Sequence, residues 1–389
     1  MELGQLLLEL TGRVRPERAD GISAAVVLAT PEERWTLRLS GGRLTVGLGG
    51  VDRPDAVISS DAATLVDINT GRLTGSEAFL DGRVTVRGNL GLALRLESMF
   101  TPPIPRPITA PEDRTVHANG LPVSILEAGR GDPVLLLHGL GATKTSFLPT
   151  LIDLSKDHRV IAPDLLGHGD TAKPLVRYDA PTFAKFVTSL MDALGIERAD
   201  LIGNSMGGRI SLEVAMTSPE RVRSLTLLCP AVAFLKRRGA VPFVRALRPE
   251  LGILPHRLPH RLVVRSIRQM FSQPDRLPAS WYEAGADEFL RVFRTPRGRA
   301  ALYASMRNIY LDEPMGERGF WVRLERMQLP SMFVWGARDR LVPAAFDRHV
   351  RRVLPSAASH VLDDCGHVPQ FELPERTHSL IRSFLADAA

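Results

Sequence analysis

The first hundred residues alternate apolar and polar positions in short runs: "ISAAVVLA", "RWTLRLSGG", "RLTVGLGG", "DAVISSD" and "GRVTVRGN". Glycines separate them. Period-two alternation puts one face of a strand in a core and the other toward water. These runs therefore predict an antiparallel sheet with one buried face. Two stretches change period. "DAATLVDINTG" opens on Asp61, a residue type that caps helix N-termini, and sets Leu65 and Ile68 on one helical face. "NLGLALRLESMF" sets Leu90, Leu94 and Phe100 near one side, with Leu92, Leu96 and Met99 widening the stripe. The N-terminal "MELGQLLLELTGRVRPERAD" reads as an amphipathic helix packed on the same unit. A small α+β domain over 1–100 is the expectation.

Further along, the pattern is different. "PVLLLHG", "RVIAPDLLG", "ADLIGNS", "SLTLLCPA", "PSMFVWGARD" and "SHVLDDCGH" are short apolar runs without alternation. Strands covered on both faces read this way. Helical stretches such as "APTFAKFVTSLMDALG" and "RISLEVAMTSPE" lie between them, which predicts an α/β fold with a mostly parallel sheet over 115–389. The alternation breaks at about 231–325, a basic stretch that reads as several helices inserted over the top of the sheet, a lid. Between the two patterns, "TPPIPRPITAPEDR" at 101–114 holds five prolines and predicts a semi-rigid linker.

Composition narrows the setting. No apolar run reaches the roughly 18 residues that a membrane span needs. The N-terminus carries Glu2 and Glu9 and lacks a basic segment with a small-residue cleavage site, so it does not read as a signal peptide. Two cysteines, Cys229 and Cys365, make neither a disulfide framework nor a zinc set. They fit buried, reduced thiols in a cytoplasmic protein. The net charge of +6 is uneven: residues 236–299 hold fourteen Lys or Arg against five Asp or Glu. The plain reading is a solvated helical face. A basic lid can also meet anionic membrane surfaces, whereas no aromatic-interleaved basic patch or motif points to nucleic acid.

The chemistry gathers at the strand ends. Gly203-Asn204-Ser205-Met206-Gly207 fits G-x-S-x-G, follows a strand pattern and precedes a helix pattern. A serine there is either a turn residue or a nucleophile. As a nucleophile it needs a base and an acid to orient that base. "MFVWGARDRLVP" ends an apolar strand at Asp339, and "SHVLDDCGHVPQFE" ends another near His367. The long interval from Ser205 to Asp339 accommodates the lid. Asp363 and Asp364 are rival acids beside His367.

Two resemblances follow. The stretch from "DAVISSD" to "LRLESMF" resembles the C-terminal half of a sterol-carrier-protein type 2 lipid-binding domain. That resemblance implies an apolar tunnel for fatty-acyl or sterol-like ligands. The alternative is a domain that only packs or dimerises. The second domain resembles the α/β-hydrolase family, through "HGLG" at 138–141, "DLLGHGDTAKP" at 164–174, "GNSMGG" at 203–208, "GARDRLVP" and "GHVPQFELPE". It implies Ser205 as nucleophile, His367 as base and then acid, and Asp339 as the orienting carboxylate. It also implies an oxyanion hole from the backbone N–H groups of Met206 and Leu140. His138 and His168 read as structural. No cofactor or metal is implied. "GNSMGG" also resembles the elbow of hydrolases that cleave carbon–carbon bonds in aromatic ring-fission products. Those place tryptophan after the histidine, where this chain has Val368. Ester hydrolysis is therefore favoured, with an apolar acyl or lipid substrate suggested by the first domain. Carbon–carbon cleavage and a catalytically silent lipid-binding scaffold are the alternatives.

Overall fold

A computed structural model describes residues 3–105, 107–232, 241–255 and 257–388. Among these residues two sheets form. The first contains β1 (Ala24–Ala29), β2 (Arg34–Ser40), β3 (Arg43–Leu48), β4 (Ala56–Ser59) and β5 (Thr85–Gly88), in the order β3-β2-β1-β4-β5. Its pairs are antiparallel except β1 with β4, because short turns, residues 30–33 and 41–42, join the first three strands while β3 and β4 are not neighbours. The helices Ala62–Thr70 and Leu90–Ser98 lie where the pattern places them. Asp61 caps the first, its side chain accepting from the Thr64 N–H, and Asn89 caps the second through the Leu92 N–H. Such caps each contribute about 1 kcal/mol. A further helix, Gly75–Leu80, carries a capping box between Thr74 and Glu77.

The second sheet contains β6 (Glu112–Ala118), β7 (Leu121–Ala128), β8 (Pro133–Leu137), β9 (Arg159–Pro163), β10 (Ala199–Asn204), β11 (Val222–Leu228), β12 (Ser331–Gly336) and β13 (Ala358–Leu362). Their order is β6-β7-β9-β8-β10-β11-β12-β13, parallel from β9 onward. β6 begins at Glu112, so the expected linker 101–114 gives up its last three residues to the sheet. Its final proline is Pro111, and nothing after it removes a ladder donor. Helices cover both faces. Phe183, Val187 and Ile210 pack on one side, and Leu148, Leu151 and Ile381 on the other. The second of these cores is continuous with the core of the first domain.

The inserted region between β11 and β12 is helical, as expected. It includes His260–Arg268, Ala279–Phe293, Pro296–Tyr310 and Phe320–Glu325; residues 233–240 and 256 of it lie outside the described residues. The charge of this region is not all solvated. Arg299 is buried and donates to the carbonyls of Gly252, Phe293 and Arg294, and Arg291 pairs with Glu288 and Asp170. No helix among the described residues is long and apolar enough to cross a membrane.

The first domain is fastened to the lid helix Ala279–Phe293. Asp287 accepts from the Gly88 N–H at 2.9 Å and the Arg87 Nε at 2.7 Å, and the buried Glu288 accepts from the Leu90 N–H at 2.7 Å. Trp281 donates its indole N–H to the Phe79 carbonyl and packs edge-on against Phe371, just past His367. The lid thus touches both the first domain and the loop that carries His367.

Candidate active site

β10 is buried along its whole length and runs into Ser205, which opens the helix Met206–Thr217. Ser205 adopts φ 54° and ψ −115°, a region that non-glycine residues enter only under constraint. The constraint is visible. The Ser205 N–H donates to the Leu228 carbonyl, and its own carbonyl accepts from the Arg209 and Ala231 N–H groups. The turn also requires a bare backbone beside it: a Cβ on Gly207 would stand 1.8 Å from the Leu137 carbonyl oxygen. A Cβ on Gly139 would stand 3.3 Å from the Ser205 Cβ, so the loop after β8 flanks the serine directly. That loop carries Leu140. Met206 is the first residue of the helix, where backbone N–H groups have no intrahelical acceptor and the helix dipole favours negative charge.

His367 and Asp339 meet at the ends of β13 and β12. His367 Nδ1 lies 2.7 Å from Asp339 Oδ2, with both residues buried. Asp339 Oδ1 accepts from the Leu341 and Val342 N–H groups, which fixes the carboxylate in its plane. A carboxylate can only accept from the ring here, so Nδ1 carries the proton and Nε2 is left with its lone pair. The loop is held on both sides: the His367 N–H donates to the Met270 carbonyl of the lid, and Asn204 Nδ2 donates to the His367 carbonyl. The residue before the serine therefore clasps the loop of the histidine. The rival acids point elsewhere. Asp364 pairs with Arg338 at 2.9 Å, and Asp363 is exposed.

Glu372 is a site residue that the pattern did not single out. It is buried and accepts from three backbone N–H groups: Gly366 through one oxygen, Ser272 and Gln273 through the other. It bolts the lid loop to the histidine loop. Its only sequence signal is its place in "GHVPQFELPE".

The two motif histidines have backbone partners. His138 donates from Nδ1 to the Gly139 carbonyl and accepts at Nε2 from the Leu165 N–H, and burial keeps it neutral by lowering its pKa. Burial takes His168 down to about 3. Under the same loops Lys144 is buried, 2.6 Å from Asp113 and 3.6 Å from Asp164. Burial alone would lower its pKa, but the two carboxylates outweigh that and keep it charged. Among the described residues, Cys229, Asp339 and His367 are the set whose donor atoms could hold a metal, within 4.8 Å of one another. Asp339 is already committed to His367 and two N–H groups. Burial, with the Asp339 charge nearby, pushes the Cys229 thiol up and keeps it protonated. The set is occupied by its own hydrogen bonds and does not fit a resident ion.

The first domain encloses a cavity of about 130 Å³ between sheet and helices. Leu28, Leu37, Phe79 and Leu94 are among its apolar walls, and Arg13, Asn69 and Glu97 are among its few polar ones. Engineered apolar cavities of about 150 Å³ take up benzene.

Residues 132–374 match the alpha/beta hydrolase fold family, and residues 5–101 match the SCP-2 sterol transfer family. The first match spans more than half of the chain, so the protein belongs to the α/β-hydrolase family, with an SCP-2 domain at its N-terminus. It is 30% identical over 294 residues to a 2-hydroxymuconate semialdehyde hydrolase of Pseudomonas putida, covering 72% of this chain and 97% of that one. A second such hydrolase, of Pseudomonas sp. strain CF600, is 29% identical over 287 residues, with the same coverage of both chains. Among solved structures, a membrane phospholipase A described as a bacterial virulence factor superposes with a TM-score of 0.61 at 28% identity, covering 72% of this chain and 87% of that one. The enol-lactonase from Burkholderia xenovorans LB400, at 22% identity and a TM-score of 0.59 over 70% of this chain and all of that one, shares the fold.

Proposed function

We propose that the protein is a serine hydrolase that cleaves carboxylic esters, with apolar or fatty-acyl groups, through an acyl-enzyme on Ser205. The observation that carries this reading is the 2.7 Å bond from His367 to Asp339, set among loops that also hold the strained turn of Ser205. Asp339 fixes the tautomer, and His367 Nε2 takes the Ser205 Oγ proton as Oγ attacks the ester carbonyl carbon. The oxyanion that forms is met by the N–H groups of Met206 and Leu140. His367 then returns the proton to the leaving alcohol. Water, activated the same way, releases the acid. The apolar cavity of the SCP-2 domain supports a lipid-like substrate class and an acyl or sterol-like ligand there.

A second reading is hydrolysis of a carbon–carbon bond, favoured by the named activity of the relatives at 29% and 30% identity. Val368 after His367 speaks for esters. The test is hydrolysis of p-nitrophenyl esters from acetyl to palmitoyl by the wild type and by Ser205→Ala. Activity that vanishes in the variant is the expected result. A wild type inactive on every ester, yet labelled at Ser205 by a fluorophosphonate, would move the reading to carbon–carbon cleavage. A wild type that neither turns over nor labels would be a silent scaffold.

A further inference from the structure

Among the described residues fourteen large apolar side chains are exposed, and five of them fall within twelve positions of the lid: Leu251, Ile253, Leu254, Leu258 and Leu262. Scattered exposed aliphatics are ordinary, but a cluster of this kind marks a contact surface. These side chains are held outward by what lies beneath them. Gly252 is buried against the helix Pro296–Tyr310, where a Cβ would stand 2.5 Å from the Ala300 nitrogen, and its carbonyl accepts from Arg299 Nε at 2.8 Å. Its neighbours Leu251 and Ile253 consequently face water, Ile253 at 73% exposure. The helix His260–Arg268 behaves the same way. Val263 packs inward on Ala286 and Leu290, while Arg261, Leu262 and Arg265 are exposed on the other side.

Charge decides what this surface fits. Residues 245–268 hold six arginines and one acidic residue, Glu250. Arg257, Arg261 and Arg265 are exposed among the aliphatics. Aliphatic side chains interleaved with arginine suit the boundary between anionic headgroups and acyl chains. A second copy of the chain would bring the same positive charge against it, which opposes self-pairing.

We propose that lid residues 251–255 and 257–265 are a docking surface for an anionic phospholipid bilayer, with Ile253, Leu258 and Leu262 entering the acyl boundary and Arg257, Arg261 and Arg265 meeting the headgroup phosphates. The surface runs directly into Met270, whose carbonyl holds the His367 N–H. Docking there brings the lid loop of the candidate site to the membrane. This deepens the ester-hydrolase reading by making a membrane lipid ester its substrate class.

The experiment is sedimentation of the full chain with vesicles of phosphatidylcholine alone and of phosphatidylcholine mixed with phosphatidylglycerol. Three arginines at the surface predict about hundredfold tighter partition onto the anionic vesicles, weakening as salt is raised. Arg261→Glu/Arg265→Glu is expected to lower that partition at least roughly tenfold. Ile253→Ser/Leu258→Ser is expected to lower it by about the same factor. The two variants alter exposed side chains by independent routes, so either decides the matter if thermal unfolding shows the other misfolded. Equal partition on both vesicle types, partition on neither, or a folded variant that binds like the wild type would each overturn the proposal. So would self-association in lipid-free gel filtration that Ile253→Ser/Leu258→Ser abolishes. Partition is read without turnover, so loss of the ester reading and loss of this one are told apart.

Discussion

Glu372→Ala should be among the most damaging single changes that leave the proposed catalytic residues untouched. The carboxylate serves three backbone donors, at 2.6 Å from Gly366, 2.6 Å from Ser272 and 2.9 Å from Gln273. Alanine leaves all three without this acceptor, the Gly366 N–H buried and the Ser272 and Gln273 N–H groups half-buried. Each buried unpaired donor costs about 1–3 kcal/mol, and water entering the vacated space recovers part of it. The net loss expected is about 3–5 kcal/mol, a large share of the roughly 5–15 kcal/mol that holds a domain folded. Glu372→Gln keeps one oxygen and turns a donor toward the remaining N–H, so its cost falls between alanine and wild type. The effect on turnover has a separate origin. Gly366 precedes His367, and the lid loop at 270–273 holds the His367 N–H, so freeing Glu372 lets the imidazole drift. A displacement of about 1 Å costs about a hundredfold in rate. Urea unfolding followed by circular dichroism reads the first quantity. Turnover of p-nitrophenyl butyrate, well below the unfolding temperature, reads the second. An alanine variant within about 0.5 kcal/mol of wild type would refute the latch.

Other expectations follow from single groups. Asp339→Asn should lower kcat about 10⁴-fold while the thermal midpoint barely moves, because the amide favours the wrong His367 tautomer; a drop under tenfold in steady-state assays would remove Asp339 from the mechanism. Lys144→Met strands two buried carboxylates, Asp113 and Asp164, and should cost about 3–5 kcal/mol in urea unfolding. Adding Asp113→Leu to it should restore part of that loss. Burial takes His378 from its ordinary value near 6.5 down to about 4. The unfolded chain therefore binds this proton while the folded chain does not, and stability falls as pH drops from about 6.5 toward 4, by about 1.4 kcal/mol per pH unit. His378→Gln should flatten the stability–pH curve in that window, and an unchanged slope would refute the assignment.

Much of this molecule is written in local pattern. The alternation of the first domain and the unbroken apolar runs of the second name the two sheets, since strand period and burial are properties of a few neighbouring residues. Asp61 announces its helix because a cap acts within three residues. The elbow at Ser205 is legible for the same reason. Its glycines stand beside it in sequence, although the carbonyl that forbids a side chain at Gly207 belongs to Leu137. Pattern was weaker at the margins. β6 and β7 escaped it because "EDRTVHA" is a polar edge strand and "LPVSILEA" carries a proline.

What the sequence alone determined, then, is the elements, their order, and the residue types that stand at the strand ends. Tertiary structure decided the partners. Glu372 finds Ser272 across a hundred residues, and Glu288 finds Leu90 across nearly two hundred. Arg299 and Arg291, read from composition as part of a solvated basic face, are drawn into pairings, Arg299 buried and Arg291 half-buried, while Ile253 and Leu262, which composition would send inside, face water. Hydrogen bonding and burial depend on which surfaces the folded chain brings together. No window of neighbouring residues contains that information.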